Sequence, residues 1–505
     1  MKLLFVNPPI PTSSGNVTSA WYLREENHAA YDSTPMPPHF APSVLGYVRQ
    51  YFNDKIEIEI EIKVIDGLLT PVTPQQIQTI AIEWEATAAF VLLGVDIIEH
   101  DAAYAALPCP AFAQLCPVTI DPAEAISLYG LTIPYLIYGG ETEVSLALAL
   151  EELEKTGVVA NTPGVYVNKP ATPEMPGGFP TISDMITFPM PAYDLFDMAS
   201  YLSVQIKNET RKHYHYSALV QTMKGCLFEC VFCTCSSVGQ QARYKTAQQV
   251  VDEIRLLKEK YGFYRFVFID SEFGVNLNRA KDICRTIIHE GLSVSYVVNN
   301  RVDLVDEELL QLMKASGCEM VRYGVESADP RVLKAINKKI DISRAAKTIK
   351  MTRDVGIYVN LFFLVGLPAE NEQTLRINAD FIVSNHVDSF SLGRVFVIPN
   401  TALYKQLKEE NKLLVKDWQT YRKNEQYLFS HNHYKNLGEV KKAERKLLNM
   451  INRQRLTTYA SGSLNYRLYA FASSFDFVSF YVKNNFPYIY AKGKKLLQTL
   501  LNVRS

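Results

Sequence analysis

Two series of short apolar runs, each run set off from the next by a stretch of helical periodicity, restrict this chain to a layered α/β architecture. The first series reads "KLLFVNPP", "APSVLGYVRQYF", "IEIKVIDG", "TPQQIQTIAIEWEA", "AAFVLLGV" and, further on, "DPAEAISLYG" before "PYLIYGG". Short β-rich runs alternating with helices predict a parallel sheet covered on both faces. Ligands on such sheets lie beyond the carboxyl ends of the strands, which nominates Asn7 to Pro11, Asp66-Gly67, Gly94-Val95-Asp96 and Gly139 to Glu143. The second series begins near residue 216, with strands expected at "YSALVQT", "FYRFVFID", "SVSYVVNN", "MVRYGVE", "IYVNLFFLVG" and "SFSLGRVFVI". Helical stretches such as "TAQQVVDEIRLLKEKYG", "NRAKDICRTIIHEG" and "DEELLQLMKASG" lie between them, each ending at a glycine. Six such units predict a partial (β/α)6 barrel of the TIM type, with its chemistry at the strand C-termini.

Between the two series, residues 161–210 are dense in proline and glycine and read as a connector without regular structure. After about residue 400 the chain turns helical and basic, with 13 Lys/Arg against 3 Asp/Glu in residues 434–505. The expected division is therefore a sheet domain at 1–160, a connector at 161–210, a barrel at 211–400 and a helical region at 401–505. The aromatic and lysine-rich stretch 467–501 suits a helical cap on the barrel, with an anionic membrane or a lipid substrate as the other reading. No nucleic-acid motif accompanies the charge, so no nucleic-acid partner is expected.

Location matters for reading the cysteines. The opening "MKLLFVNPPIP" is broken by proline where a secretory segment would continue, and no apolar run reaches the about 18 residues of a membrane span. The chain is expected to be soluble and cytoplasmic, where clustered cysteines are ligands or catalysts more often than disulfides. Four of the eight cysteines fall within "KGCLFECVFCTCSS" (224–237). Cys226, Cys230 and Cys233, spaced C-x3-C-x2-C in the loop leaving the first barrel strand, would converge at the barrel mouth. Three thiolates suit an iron–sulfur cubane with one open iron, by the logic that separates open catalytic metal sites from closed structural ones. Cys235 leaves a four-cysteine zinc site open as an alternative.

This C-x3-C-x-aromatic-C loop resembles that of radical S-adenosylmethionine (SAM) enzymes, and the resemblance continues along the chain. Phe232 stands at the aromatic position, which in that family packs on the SAM adenine. "FVFIDSEFGVN" (266–276) is similar to the strand end that holds the methionyl amino group, implying Asp270, Ser271 and Glu272. "NNRVD" (299–303) places Arg301 toward a carboxylate, and "VRYGVESADPRVLKAINKK" (321–339) brings Glu326 to the ribose. "VGLPAENEQT" (365–374) resembles the fifth strand end. On residue chemistry alone Glu272 could pair with a lysine and Arg301 could be a surface cation.

The amino-terminal half resembles the Rossmann-like cobalamin-binding domain that precedes the barrel in class B radical SAM enzymes. The likeness rests on "FVNPP", "VIDG", Gly140-Glu141-Thr142-Glu143 and "PMPAYDLFD". It implies cobalamin contacts at Asn7, Pro8, Asp66, Gly67, Gly140 and Glu141. No D-x-H-x-x-G motif surrounds the histidines at 28, 39 or 100, so no axial histidine is expected. The region "LPCPAFAQLCPVTI" (107–120) lacks the glycines that let backbone approach a corrin tail, which leaves an empty scaffold as the alternative. Cys109 and Cys116 read as buried small residues, too few for the second cluster of methylthiotransferases.

The resemblance implies a [4Fe-4S] cluster, SAM, cobalamin and an external one-electron reductant such as flavodoxin or ferredoxin. The implied reaction is C-methylation at an unactivated carbon of a small metabolite, natural product or lipid. Rearrangement or cyclisation without methyl transfer is the second reading, and a non-catalytic zinc-stabilised binding module is the third.

Overall fold

The computed structural model describes residues 1–9, 40–93, 102–114, 132–138, 141–168, 180–182, 184–207, 217–236, 241–398, 401–414 and 429–460. Six strands form a first sheet: β1 (Lys2–Asn7), β2 (Glu61–Asp66), β3 (Ala88–Leu92), β4 (Ala111–Gln114), β5 (Tyr135–Ile137) and β6 (Val165–Val167). Their order is β2-β1-β3-β4-β5-β6. Strands β1 to β5 run parallel, and β6 closes one edge antiparallel to β5. The continuous apolar runs of β1 and β3 follow from their central place, since a strand covered on both faces has no exposed side to make polar. Leu3, Phe5 and Phe90 pack with Val44, Leu45, Leu146 and Leu150 from the helices Phe40–Tyr51 and Thr142–Thr156. Leu4, Val6, Ala89 and Val91 turn to the opposite face, against Ile77 and Ala81 of the helix Pro74–Glu83. That helix starts on a capping box in which Thr73 and Gln76 each accept the other's backbone N–H.

The second sheet is built from β7 (Ser217–Val220), β10 (Arg265–Phe268), β11 (Ser295–Asn300), β12 (Cys318–Glu326), β13 (Tyr358–Val365) and β14 (Ser389–Arg394), all parallel and in the order β14-β13-β12-β11-β10-β7. Between β7 and β10 lies a two-stranded antiparallel ribbon, β8 (Met223–Lys224) with β9 (Arg243–Tyr244). The helices Ala247–Tyr261, Leu277–His289 and Glu307–Ala315 are followed by Gly262, Gly291 and Gly317 at φ of 83°, 62° and 100°, the left-handed stop that the sequence calls for.

The connector departs from expectation. Within residues 161–210 the chain forms β6 and the helix Met198–Lys207. Only three residues, "VYV", are needed to pair with the short edge strand β5, and a run that brief leaves little periodicity to read. Beyond the second sheet the described residues hold the helices Ala402–Glu409 and Leu437–Ala460. The stretch 467–501, His28, His39, His100, Cys116, His213, His215 and Gly94 to Asp96 lie outside the described residues. Among the described residues no helix is long and apolar enough to cross a membrane.

Candidate active site

The cysteine loop leaves β7 through a clamp. Asp270, two residues beyond β10, accepts the backbone N–H of Thr222 at 2.6 Å and of Met223 at 3.0 Å, and also the Thr222 hydroxyl. Arg279 donates to the Thr222 carbonyl at 2.6 Å and to the Lys245 carbonyl at 2.8 Å. Both feet of the β8–β9 ribbon are thus tied to the second sheet and its helices. At the turn into the loop, Gly225 has φ of 83°, and a Cβ there would stand 2.3 Å from the Gln241 carbonyl oxygen, so only glycine fits.

Cys226 and Cys230 are buried and Cys233 is half-buried. Burial raises the Cys226 thiol to about 11, and Glu272, Cys233 and Cys230 push it in the same direction. Burial also raises Cys230, against the pull of Lys338, while Cys233 is raised first by its hydrogen bond with Cys235 and then by burial. The three thiols therefore share one field, and each resists ionisation until a positive centre is supplied. Among the described residues no three His, Cys, Asp or Glu side chains gather around a point that one metal ion could fill. A cubane asks for less convergence, because each thiolate binds a different iron. Cys235 Sγ lies 3.6 Å from Ser271 Oγ.

Opposite the thiols stands Glu272. Its Oε2 is sealed from solvent with no hydrogen-bond partner among the described residues, and burial raises its carboxyl to about 8, although Lys338 and Arg301 pull it down. An unpaired buried oxygen costs about 1–3 kcal/mol, so the site is built for a donor from outside the chain. Lys338 is the other centre of charge. Its Nζ lies 3.2 Å from Glu326 Oε1, and although burial works against its charge, Glu326, Glu272 and Cys230 hold it above the ordinary lysine value. Glu326 ends β12 at φ of 65°. Arg301 is 1% exposed, with its guanidinium 3.7 Å above the Phe228 ring. It donates to both carboxylate oxygens of Asp303 at 2.9 Å and to the Lys339 carbonyl at 2.9 Å. Phe232 packs between the Leu333–Ile336–Leu367 cluster and side chains of the first sheet's second core.

The structure thus gathers Cys226, Cys230, Cys233, Glu272, Arg301 and Glu326 into one electrostatic neighbourhood. Ser271 faces the fourth cysteine, and both carboxylate oxygens of Asp270 are taken up by the loop's own backbone and hydroxyl. Arg301 is buried and paired, unlike a surface cation. Lys338 and Phe228 are participants that the sequence reading passed over; a lysine inside "NKK" looks solvated until the fold turns it inward.

At the carboxyl edge of the first sheet, Asn7 Nδ2 donates to Asp66 Oδ1 at 3.0 Å, and the Tyr201 hydroxyl donates to Asp66 Oδ2 at 2.5 Å. Pro8 directly follows Asn7. Gly67 donates its N–H to the Asn7 carbonyl at 2.8 Å, and a Cβ on it would meet the Pro9 nitrogen at 2.5 Å. Asn7 Oδ1 at the end of β1 and Gln114 Oε1 at the end of β4 are both buried with no partner among the described residues. Two orphan amide oxygens on one sheet edge fit a ligand rich in amide N–H groups, as the corrin periphery is. Gly140 lies outside the described residues. Glu141 and Glu143 turn away from that edge and reach the ribbon: Glu141 pairs with Arg243 at 2.9 Å and Glu143 with Lys224 at 2.5 Å.

Comparison with known proteins agrees with this geometry. The Radical SAM superfamily profile matches residues 220–382. An uncharacterized methyltransferase of Pyrococcus horikoshii is 30% identical over 243 residues, 48% of this chain and 51% of that protein. The cytidylyl-2-hydroxyethylphosphonate methyltransferase of Streptomyces wedmorensis is 29% identical over 219 residues, 42% of this chain and 41% of its own length. The chain thus spans about half the length of the curated relatives it matches. Among solved structures, the cobalamin-dependent SAM radical enzyme OxsB, with aqua-cobalamin and SAM bound, superposes at a TM-score of 0.67 and 13% identity, covering 100% of this chain and 75% of that one. Residues 220–382 thus carry the match to the Radical SAM superfamily, with a cysteine loop of that family's spacing beside a six-stranded parallel sheet.

Proposed function

We propose that this protein is a cobalamin-dependent C-methyltransferase that methylates an unactivated carbon of a small metabolite, natural product or lipid. The observation that carries the reading is the pairing of three mutually coupled thiols with a buried, unpartnered carboxyl oxygen on Glu272. When bound, a [4Fe-4S] cluster supplies the electron that breaks a carbon–sulfur bond of SAM to give a 5′-deoxyadenosyl radical, and the corrin supplies the methyl group.

The chain's own residues do the rest. Cys226, Cys230 and Cys233 hold three corners of the cluster, and Lys338 offsets part of their negative charge. Glu272 Oε2 accepts from the methionyl ammonium, which is the donor that its buried position lacks. Glu326, fixed by Lys338, offers acceptor capacity toward a ribose hydroxyl. The apolar packing around Phe232 keeps water from the radical. Asn7 and Gln114 accept from corrin amides at the edge of a domain spanning 1–160, which stands before a connector at 161–210, the barrel at 211–400 and a helical region at 401–505. A reducing cytoplasm that supplies flavodoxin or ferredoxin suits both the thiols and the electron demand.

The test is anaerobic reconstitution with iron, sulfide and cobalamin, followed by SAM and dithionite. Expected are retained corrin absorption after desalting, 5′-deoxyadenosine, and a mass gain of one methylene unit in a candidate substrate. Cys230→Ala should lose the brown cluster absorption and all SAM cleavage. 5′-Deoxyadenosine without retained corrin would replace methyl transfer by another radical reaction, and zinc in place of iron would end both readings.

A further inference from the structure

The segment from Pro330 to Lys350 carries seven Lys/Arg and one acidic residue, Asp341, in a chain whose net charge is −1. Most of this charge is on the surface: Lys334, Lys339, Arg344 and Lys347 are exposed. Part of it is neutralised: Arg331 pairs with Asp329, Lys338 with Glu326 and Lys350 with Asp354, whereas Lys339 stands 4.0 Å from Glu229 with its side chain 77% exposed. Lys334 meets no carboxylate among the described residues. A cleft of about 510 Å³ opens here, lined by Leu333, Lys334, Asn337, Lys338, Lys339 and Asp341.

This basic face is fastened directly to the cysteine loop. Asn337 Nδ2 donates to the Glu229 carbonyl at 3.0 Å, and the Val231 N–H donates to the Ile336 carbonyl at 3.1 Å, so the residues on either side of Cys230 are bonded to the lysine-bearing segment. Leu333 and Ile336 pack on Val231 and Phe232 from beneath. Leu227, in the same loop, is 51% exposed. An exposed apolar residue on the cysteine loop and a cationic segment bonded to that loop match the mixed apolar and charged make-up of a transient protein interface.

We propose that the 330–347 surface is the docking site of the protein's electron donor, an acidic protein carrying a flavin or an iron–sulfur centre. The inference rests on the radical SAM reading of the cysteine loop. Single-sign charge at this point concentrates an acidic donor beside the loop and orients it, which is the usual work of surface charge in encounter complexes. The donor would give up one electron and leave oxidised by one equivalent, and Cys226, Cys230 and Cys233 would hold the cluster that takes that electron.

The test pairs K334E/K347E, neither residue being part of the SAM or cluster site, with wild type, using labelled flavodoxin as the probe. Binding is read by fluorescence anisotropy on the reconstituted enzyme and needs no turnover. Two charge reversals at an encounter surface should weaken binding about tenfold and flatten its salt dependence. SAM cleavage driven by reduced flavodoxin should show a raised apparent KM for flavodoxin, while cleavage driven by dithionite stays at the wild-type rate. Unchanged flavodoxin binding in the variant, or an equal loss with both reductants, overturns the docking site. Failure of wild type to cleave SAM with dithionite would instead overturn the radical SAM reading.

Discussion

Glu272 shows how a single residue can be named by its sequence and yet have its chemistry set by its surroundings. "FVFIDSEFGVN" nominates three neighbouring polar residues, and the fold gives each a different task. Asp270 clamps the loop, Ser271 meets Cys235, and Glu272 keeps a free oxygen. Nothing in the spacing distinguishes them, because the division depends on which backbone N–H groups lie within reach of each side chain. The pH consequence belongs to Glu272 alone. Its carboxyl sits at about 8 where the ordinary value is 4.5, so below pH 8 the unliganded site holds a proton. An ammonium group prefers the carboxylate and displaces that proton. SAM affinity, measured by calorimetry without reductant, should therefore rise about tenfold per pH unit toward pH 8 and then level off. Glu272→Gln should bind more weakly and show no such slope; a flat wild-type profile would remove Glu272 from the ammonium site.

At the scale of elements, the strands of the second sheet were legible because burial on both faces writes long apolar runs, and the helix ends because a left-handed stop favours glycine. The ribbon β8–β9 was not legible: two residues per strand carry no period, and its pairing is dictated by Asp270 and Arg279 from elsewhere in the chain. The loop after β13 illustrates a similar long-range demand. Glu370 is 2% exposed, accepts the Tyr434 hydroxyl at 2.6 Å and the Gly366 N–H at 3.1 Å, and is raised by burial to about 7 despite both bonds. Tyr434 in turn stacks on His431, whose Nε2 lies 2.8 Å from the Leu367 carbonyl, so this carboxyl fastens the chain leading into the helix Leu437–Ala460 to the loop after β13. Because the folded carboxyl holds its proton more tightly than the unfolded one, stability is fully present below about pH 4.5 and falls as pH rises through 7, by on the order of 3 kcal/mol. Chemical denaturation at pH 5 and pH 8 should show that loss in wild type and a much smaller one in Glu370→Gln. Equal pH dependence in the two proteins would mean that Glu370 is ionised at neutral pH.

At the scale of the whole molecule, the two sheets meet through the cysteine ribbon. The G-E-x-E element was expected to touch a corrin, and its identity was plain in the sequence, but its destination was not, since a carboxylate finds its cation only after both halves have folded. Glu143 is buried against Lys224, two residues before Cys226, and Lys224 also lies 5.3 Å over the ring of Phe188 from the connector. Glu141 holds Arg243 on the paired strand and also accepts the Ile182 N–H; burial raises its carboxyl, while Lys224 and Arg243 draw it back down. The first sheet's helix Thr142–Thr156 therefore begins on the same ribbon that presents the cysteines, which ties the placement of the cluster loop to the folding of the amino-terminal half. Removing one partner of such a pair strands the other charge in a poorly solvated site, at a cost of about 3–5 kcal/mol, whereas replacing both by apolar groups is close to neutral. Glu143→Gln should lower both the unfolding midpoint and the iron content after reconstitution. Combining Glu143→Leu with Lys224→Met should restore most of the stability, and the iron content then separates two roles. Recovery of iron with stability means that the pair serves packing, while stable protein that still fails to load iron means that the charges themselves hold the loop in its binding geometry.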